Sequence, residues 1–295
     1  MKFVTFQHRG NTAVGVLVDD GSRLVDLTAA GLAADMQDLI ENYDQHTAQI
    51  ARLVQEKANV LQLSEVELRA PIPTPRRNIF CVGKNYHEHA AEFGRSGFDA
   101  GSIGGSEVPE YPIIFSKPPS SVIGPGATIE WANDPYQSVD YEAELAVIIG
   151  RAGRVTENDD PMDFVFGYTI INDVTSRELQ KRHKQWLLGK GIDTFAPMGP
   201  AIVTREAMGD ISSRGIRCHV NDEQRQNARI GDLIFDIPTL IRSIGRSISL
   251  VAGDIIATGT PVGVGIGFTP PKYLNRGDRV RVEIDGIGTL ENPVG

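Results

Sequence analysis

Cysteine is almost missing from this chain. Its 295 residues hold only Cys81 and Cys218, far apart and without C-x-x-C spacing, which argues against a disulfide framework or a zinc site. Both are expected to be small buried apolar residues. Long apolar runs are missing too. No stretch approaches 18 residues, which excludes a membrane-spanning helix. The start, Met1-Lys2-Phe3-Val4-Thr5, soon turns polar, unlike a secretory leader, so a cytoplasmic location is the expectation. There is no block of basic residues. With 29 Lys and Arg against 38 Asp and Glu the net charge is −9, which argues against a nucleic-acid partner. A G-x-S-x-G elbow, a phosphate loop and an internal repeat are also lacking.

What is present is an ordinary globular balance, 41% hydrophobic and 23% charged, in a chain long enough for one large domain or two unequal ones. The stretch Val139-Asp140-Tyr141-Glu142-Ala143-Glu144-Leu145-Ala146-Val147-Ile148-Ile149-Gly150 stands out. Its apolar, β-branched end reads as a buried strand, yet two glutamates sit two residues apart at its start. Side chains alternate across a strand, so Glu142 and Glu144 share a face, with Asp140 in line. Neighbouring carboxylates repel unless one is protonated or a cation lies between them. Oxygen ligands of this kind suit Mg²⁺, Mn²⁺ or Ca²⁺. A half-exposed strand with a polar outer face is the plainer alternative.

In chain order, short alternating runs up to Leu27, with a turn at Asp19-Asp20-Gly21-Ser22, predict a small antiparallel meander. From Leu32 to Leu63 the spacing of Met36, Leu39, Ile40, Ile50, Leu53 and Val54 predicts amphipathic helix, broken near Asn42 to Asp44. Pro71-Ile72-Pro73-Thr74-Pro75 fixes φ at three positions and places a boundary near residue 70, giving a small N-terminal domain, 1–70, and a larger one, 71–295. Asn78 to Gly83 reads as a buried strand. If the next segment is helical, His89 and Glu92 share a face, and a carboxylate on one imidazole nitrogen makes the other a general base. His87 and Glu88 compete for that role. Gly94 to Pro109, with five glycines, reads as a lid. Lys117, at the mouth of a strand, is placed to hold a substrate carboxylate. The strand Phe164 to Val174 ends on Asp173, either a third metal ligand or a cap for the following helix. Gln180 lies on that helix, with Lys190 beyond. Many strands with scattered helices indicate an α+β, mainly β, fold. The glycine-rich run Gly253 to Gly265 neither matches G-x-G-x-x-G nor opens a helix, so its glycines, Gly259 among them, are read as backbone close to a ligand, with the Thr260 hydroxyl as an added donor. A hairpin turning at Asp285-Gly286 ends the chain.

Taken together, Asn78-Ile79-Phe80-Cys81-Val82-Gly83-Lys84-Asn85-Tyr86, Phe115-Ser116-Lys117-Pro118, Asp140-Tyr141-Glu142-Ala143-Glu144-Leu145, Asn172-Asp173-Val174-Thr175 and Thr258-Gly259-Thr260-Pro261-Val262-Gly263-Val264-Gly265 resemble the fumarylacetoacetate hydrolase family, from about residue 70 to the C-terminus. The resemblance implies a mixed β-sandwich roll, a homodimer, and one Mg²⁺, Mn²⁺ or Ca²⁺ held by Glu142, Glu144 and Asp173. It matches the His-x-x-Glu dyad of acylpyruvase-like members to His89 and Glu92, and their lysines to Lys117 and Lys190. Gln180, Tyr86, Gly259 and Thr260 are the candidate substrate contacts. Gly191 departs from the family, where a serine is common, and the Gly94 to Pro109 loop is longer than in many members. The expected activity is hydrolysis of a carbon-carbon bond in a 2,4-dioxo acid, an acylpyruvate or fumarylpyruvate-like anion of aromatic catabolism. The alternatives are metal-dependent decarboxylation or isomerisation of a 2-oxo acid, such as oxaloacetate, and a catalytically silent metal-binding dimer.

Overall fold

The computed structural model describes residues 1–95 and 108–295. The lid expected between Gly94 and Pro109 falls largely outside them. Strands β1 (Lys2–His8), β2 (Asn11–Val18) and β3 (Arg23–Asp26) form the expected meander, and helix α1 (Met36–Glu56) follows. That helix is unbroken, contrary to the break expected near Asn42. Asn42 donates to the Asp38 carbonyl and carboxylate, so its polar group is satisfied on the helix surface and does not compete for the backbone. Asp35 caps the first turn by accepting from Asp38 N, and Lys57 ends the helix in the left-handed region.

Next come β4 (Val60–Gln62), β5 (Glu67–Leu68), β6 (Ile79–Gly83), helix α2 (His87–Arg95), β7 (Ile113–Lys117) and β8 (Val122–Ile123). The centre of the chain supplies β9 (Val139–Asp140), β10 (Ala143–Ile149), β11 (Val165–Asn172), β12 (Thr175–Ser176), α3 (Arg177–His183), α4 (Leu187–Lys190) and β13 (Ala196–Thr204). The remainder is α5 (Arg205–Met208), β14 (Gly215–Val220), β15 (Glu223–Arg229), α6 (Ile237–Gly245), β16 (Ile255–Ala257), β17 (Arg279–Ile284) and β18 (Gly288–Pro293). The fold is α+β and mainly β, as expected.

One large mixed sheet runs β4-β3-β2-β1-β13-β11-β10-β16-β6-β7, and a four-stranded sheet, β15-β14-β17-β18, packs against it. Leu145, Val147 and Ile149 of β10 meet Ile216, Cys218, Val280 and Val282 of the smaller sheet in one core, while Ala146 and Ile148 belong to a second core beneath α1. Both faces of β10 are therefore buried, which explains its unbroken apolar run. Cys81 and Cys218 are buried and unpaired, as expected. The pairing of β1 with β13, Phe3 opposite Ile202, carries the sheet across the boundary placed near residue 70. Among the described residues no helix is long and apolar enough to cross a membrane.

Candidate metal centre

Register builds the site. Strands β10 and β11 run antiparallel with Ala143 opposite Asn172, so the glutamates flanking Ala143 arrive beside the residue after Asn172, which is Asp173. One carboxylate oxygen from each of Glu142, Glu144 and Asp173 lies within 4.8 Å of the others, and all three side chains are buried. The solvated-strand alternative therefore does not hold here. Nor does Asp173 cap α3. Ser176 does so, accepting from Leu179 N at 3.4 Å.

Three buried cations share these acids. Lys190 Nζ bridges Glu142 at 2.8 Å and Asp173 at 2.7 Å, and Lys117 Nζ donates to Asp173 at 2.7 Å and to the Val174 carbonyl at 2.9 Å. Arg177 joins Glu142 at 2.7 Å to Asp140 at 2.8 Å. Among the described residues no cation pairs with Glu144, whose one hydrogen bond is from Gly259 N, at 2.8 Å. The electrostatics follow. Burial pushes Glu142 up, but Lys190, Arg177 and His89 outweigh it and hold the carboxyl well below the usual range. Burial, then the charges of Asp173 and Glu142, push Glu144 well above it. Arg177, Lys117 and Lys190 pair with three of the four carboxylates, while Glu144 has no direct cationic partner among the described residues and is raised by burial and by its acidic neighbours, which Lys190 offsets only in part. An all-oxygen cluster short of positive charge fits a divalent cation.

His89 and Glu92 share a face of one helix and pair. Helix α2 places His89 Nδ1 3.2 Å from Glu92 Oε2, with both side chains buried. A carboxylate accepts only, so Nδ1 donates and the ring's lone pair resides on Nε2. Glu92 is fixed in turn by Gly263 N, 3.0 Å from Oε1. His87 and Glu88, the competitors, are not beside the carboxylates and line a separate cavity with Tyr86 and Asp232. Tyr86 keeps its hydroxyl buried at that second cavity, with no hydrogen-bond partner among the described residues.

A small, partly open cavity lies beside the cluster. Lys84, His89, Glu142, Arg177, Gln180, Lys190 and Thr260 supply its polar lining, and Val82, Gly83, Phe93, Phe115 and Trp186 the rest. Four expectations change: Tyr86 lines only the separate cavity, the Gly259 amide is spent on Glu144, and Lys117 and Thr260 hold partners of their own. Lys117 does not line this cavity, because its ammonium is committed to Asp173 and a carbonyl behind the cluster. Thr260 does line it, but its hydroxyl proton goes to the Ala143 carbonyl at 2.9 Å while its oxygen accepts from Gln226 at 2.8 Å, so it is not a spare donor. Sequence reasoning passed over Arg177 and Lys84. Arg177 lies three residues before Gln180 on one helical face, a spacing that would have found it. Lys84 follows β6 directly in a left-handed conformation that nothing in its neighbours announces.

The loop after β16 stitches these parts together. Besides Gly259 and Gly263, it sends Gly265 N and Ile266 N to the Asp140 carboxylate at 2.6 and 3.1 Å. Backbone amides of one loop thus hold a carboxylate of the cluster, the acid of the dyad and the partner of Arg177.

Residues 78–295 match the family model described as "Fumarylacetoacetate (FAA) hydrolase C-terminal". The chain is 41% identical to the oxaloacetate tautomerase YisK of Bacillus subtilis, over the whole of both chains. It is 38% identical to the mitochondrial oxaloacetate tautomerase fahd2 of Xenopus laevis, covering all of this chain and 90% of that one. Among solved structures, the maleylpyruvate hydrolase of Sphingobium sp. SYK-6, in complex with manganese(II) and pyruvate, superposes with a TM-score of 0.80 at 32% identity, covering 100% of this chain and 98% of that one.

Proposed function

The chain belongs to the fumarylacetoacetate hydrolase family, and on that footing we propose that it is a divalent-metal-dependent tautomerase of a short 2-oxo diacid of the oxaloacetate type. The observation that carries this reading is that His89, held by Glu92, and Glu142, grouped with Glu144 and Asp173, line one small cavity. The likeness to oxaloacetate tautomerases over the full length of both chains supports the choice of substrate. This replaces carbon-carbon hydrolysis as the leading activity and keeps isomerisation of a 2-oxo acid, its alternative.

Interconverting the keto and enol forms moves one proton between carbon and oxygen. Glu142, Glu144 and Asp173 would hold Mg²⁺ or Mn²⁺, which supplies Lewis-acid stabilisation of charge on the 2-oxo group. In the keto-to-enol direction His89 Nε2 takes the proton from the carbon next to that group, Glu92 stabilises the imidazolium formed, and the imidazolium gives the proton up to the 2-oxo oxygen. Gln180 and Lys84, with the edge of Arg177 not spent on Asp140 and Glu142, face the anionic ends of the substrate. Lys190 places positive charge beside the developing oxyanion.

Hydrolysis of an acylpyruvate is the second reading. The same dyad is equipped to deprotonate water, and the manganese- and pyruvate-bound maleylpyruvate hydrolase is a structural relative. The two readings separate in one experiment. The purified protein with Mg²⁺ or Mn²⁺ is given enol-oxaloacetate, followed by loss of enol absorbance, and a panel of 2,4-dioxo acids, followed by product analysis. Accelerated loss of the enol without carbon dioxide supports the tautomerase. Release of two acids from the panel with no effect on the enol replaces it with the hydrolase.

A further inference from the structure

The apolar wall of the cavity is aromatic. Trp186 meets Phe115 edge-on at 5.2 Å between ring centroids and lies 6.3 Å from Phe93. Its indole rests on bare backbone, since a Cβ at Gly83 would stand 2.4 Å from the ring. Its carbonyl accepts from Gly189 N and Lys190 N, so the indole and the ammonium of the cluster lysine leave the same helical turn. Gly189 in turn presses against α3, where a Cβ would stand 2.5 Å from Gln180 N. The wall is thus fixed in register with two polar residues of the same cavity.

We propose that Trp186 determines specificity, its indole closing the cavity beyond the carbon next to the 2-oxo group so that short 2-oxo acids enter and branched or bulky ones do not. This rests on the reading of the site as one for 2-oxo acids. A larger substituent requires the ring to move, and the ring is backed by Phe115 and by the Gly83 backbone. Trp186 and Phe115 are themselves half-buried, so the resistance comes from these direct contacts, and a misfit of one methylene in an apolar pocket changes affinity by roughly 10–200-fold.

The test is calorimetric binding of pyruvate and of 4-methyl-2-oxopentanoate to the full chain loaded with Mg²⁺, in the wild type and in Trp186→Ala and Trp186→Phe. The wild type is expected to prefer pyruvate by at least about tenfold, Trp186→Ala to lose about tenfold or more of that preference, and Trp186→Phe to fall between. The phenyl variant keeps an aromatic ring on the Gly83 backbone and decides the matter should the alanine variant not fold. An unchanged ratio in the folded variants, a wild type without preference, or a wild type that binds neither acid overturns the proposal. Binding needs no turnover. A protein that discriminates as described but leaves enol-oxaloacetate untouched refutes the tautomerase reading alone.

Discussion

His89 and Glu144 carry opposite kinds of dependence on the cluster. His89 lies beside the acids without being one of the three that converge, so His89→Ala should leave divalent-metal affinity near that of the wild type and lower kcat by about 10²–10⁴-fold, the usual worth of a positioned base. Near-normal turnover in this variant would remove the dyad from the mechanism. Glu144, raised by burial and by its two acidic neighbours, prefers to stay protonated in the metal-free fold. The sign follows from linkage. A carboxyl raised above its unfolded value helps the fold below that value, about 4.5, and the help is lost as pH climbs through the folded value. A bound cation needs the carboxylate, so it releases a proton and cancels the loss. The gap in Tm between metal-loaded and chelator-treated protein should widen as pH rises above about 4.5, and a gap independent of pH would contradict it. At this scale the acids were legible in the sequence, because alternation along a strand fixes which side chains share a face. The partners of Lys117 and Thr260 were not. Their hydrogen bonds go to residues 56 and 117 positions away in the chain.

The loop after β16 offers two glycines that should fail in different ways. Gly263 has φ +104°, and a Cβ there would stand 1.9 Å from the Arg225 carbonyl oxygen, which is backbone and cannot move aside. Gly263→Ala should cost about 1–3 kcal/mol or more, seen as a lower Tm. At Gly267 a Cβ would instead meet the Glu92 carboxylate oxygen at 1.9 Å, the far end of a side chain. Gly267→Ala should therefore cost less Tm than Gly263→Ala and depress kcat by turning Glu92 away from His89. Equal losses of Tm in both variants would undo the distinction. The glycines were visible in the sequence, and so was the absence of a nucleotide motif. Their purpose was only half legible, since the amides hold protein carboxylates and so act on the substrate at one remove. Helix α1 teaches a related lesson. Asn42 looked like a breaker because its side chain can compete with the backbone, and it does not, because Asp38 one turn earlier occupies it.

For the molecule as a whole, strand order was the least legible property. The meander, the strands carrying the acids and the C-terminal hairpin follow local patterns, but nothing local tells β1 to pair with β13 some two hundred residues later. That pairing decides what truncation does. Removing residues 1–70 would strip β13 of its neighbour and uncover the core beneath α1, to which Ala146, Ile148 and Ile202 contribute. The fragment 71–295 is expected to aggregate or to lose its cooperative thermal transition, measured by light scattering and circular dichroism. A monodisperse fragment with a sharp transition would instead establish residues 71–295 as a unit that folds alone.

The grip of the loop after β16 on its three acids comes from peptide N–H groups, which every residue but proline possesses. Its side chains are therefore free to drift over generations wherever there is room for them, without loosening the hold. An imino acid at 259, 263 or 265 is the change that substitution elsewhere could not repair.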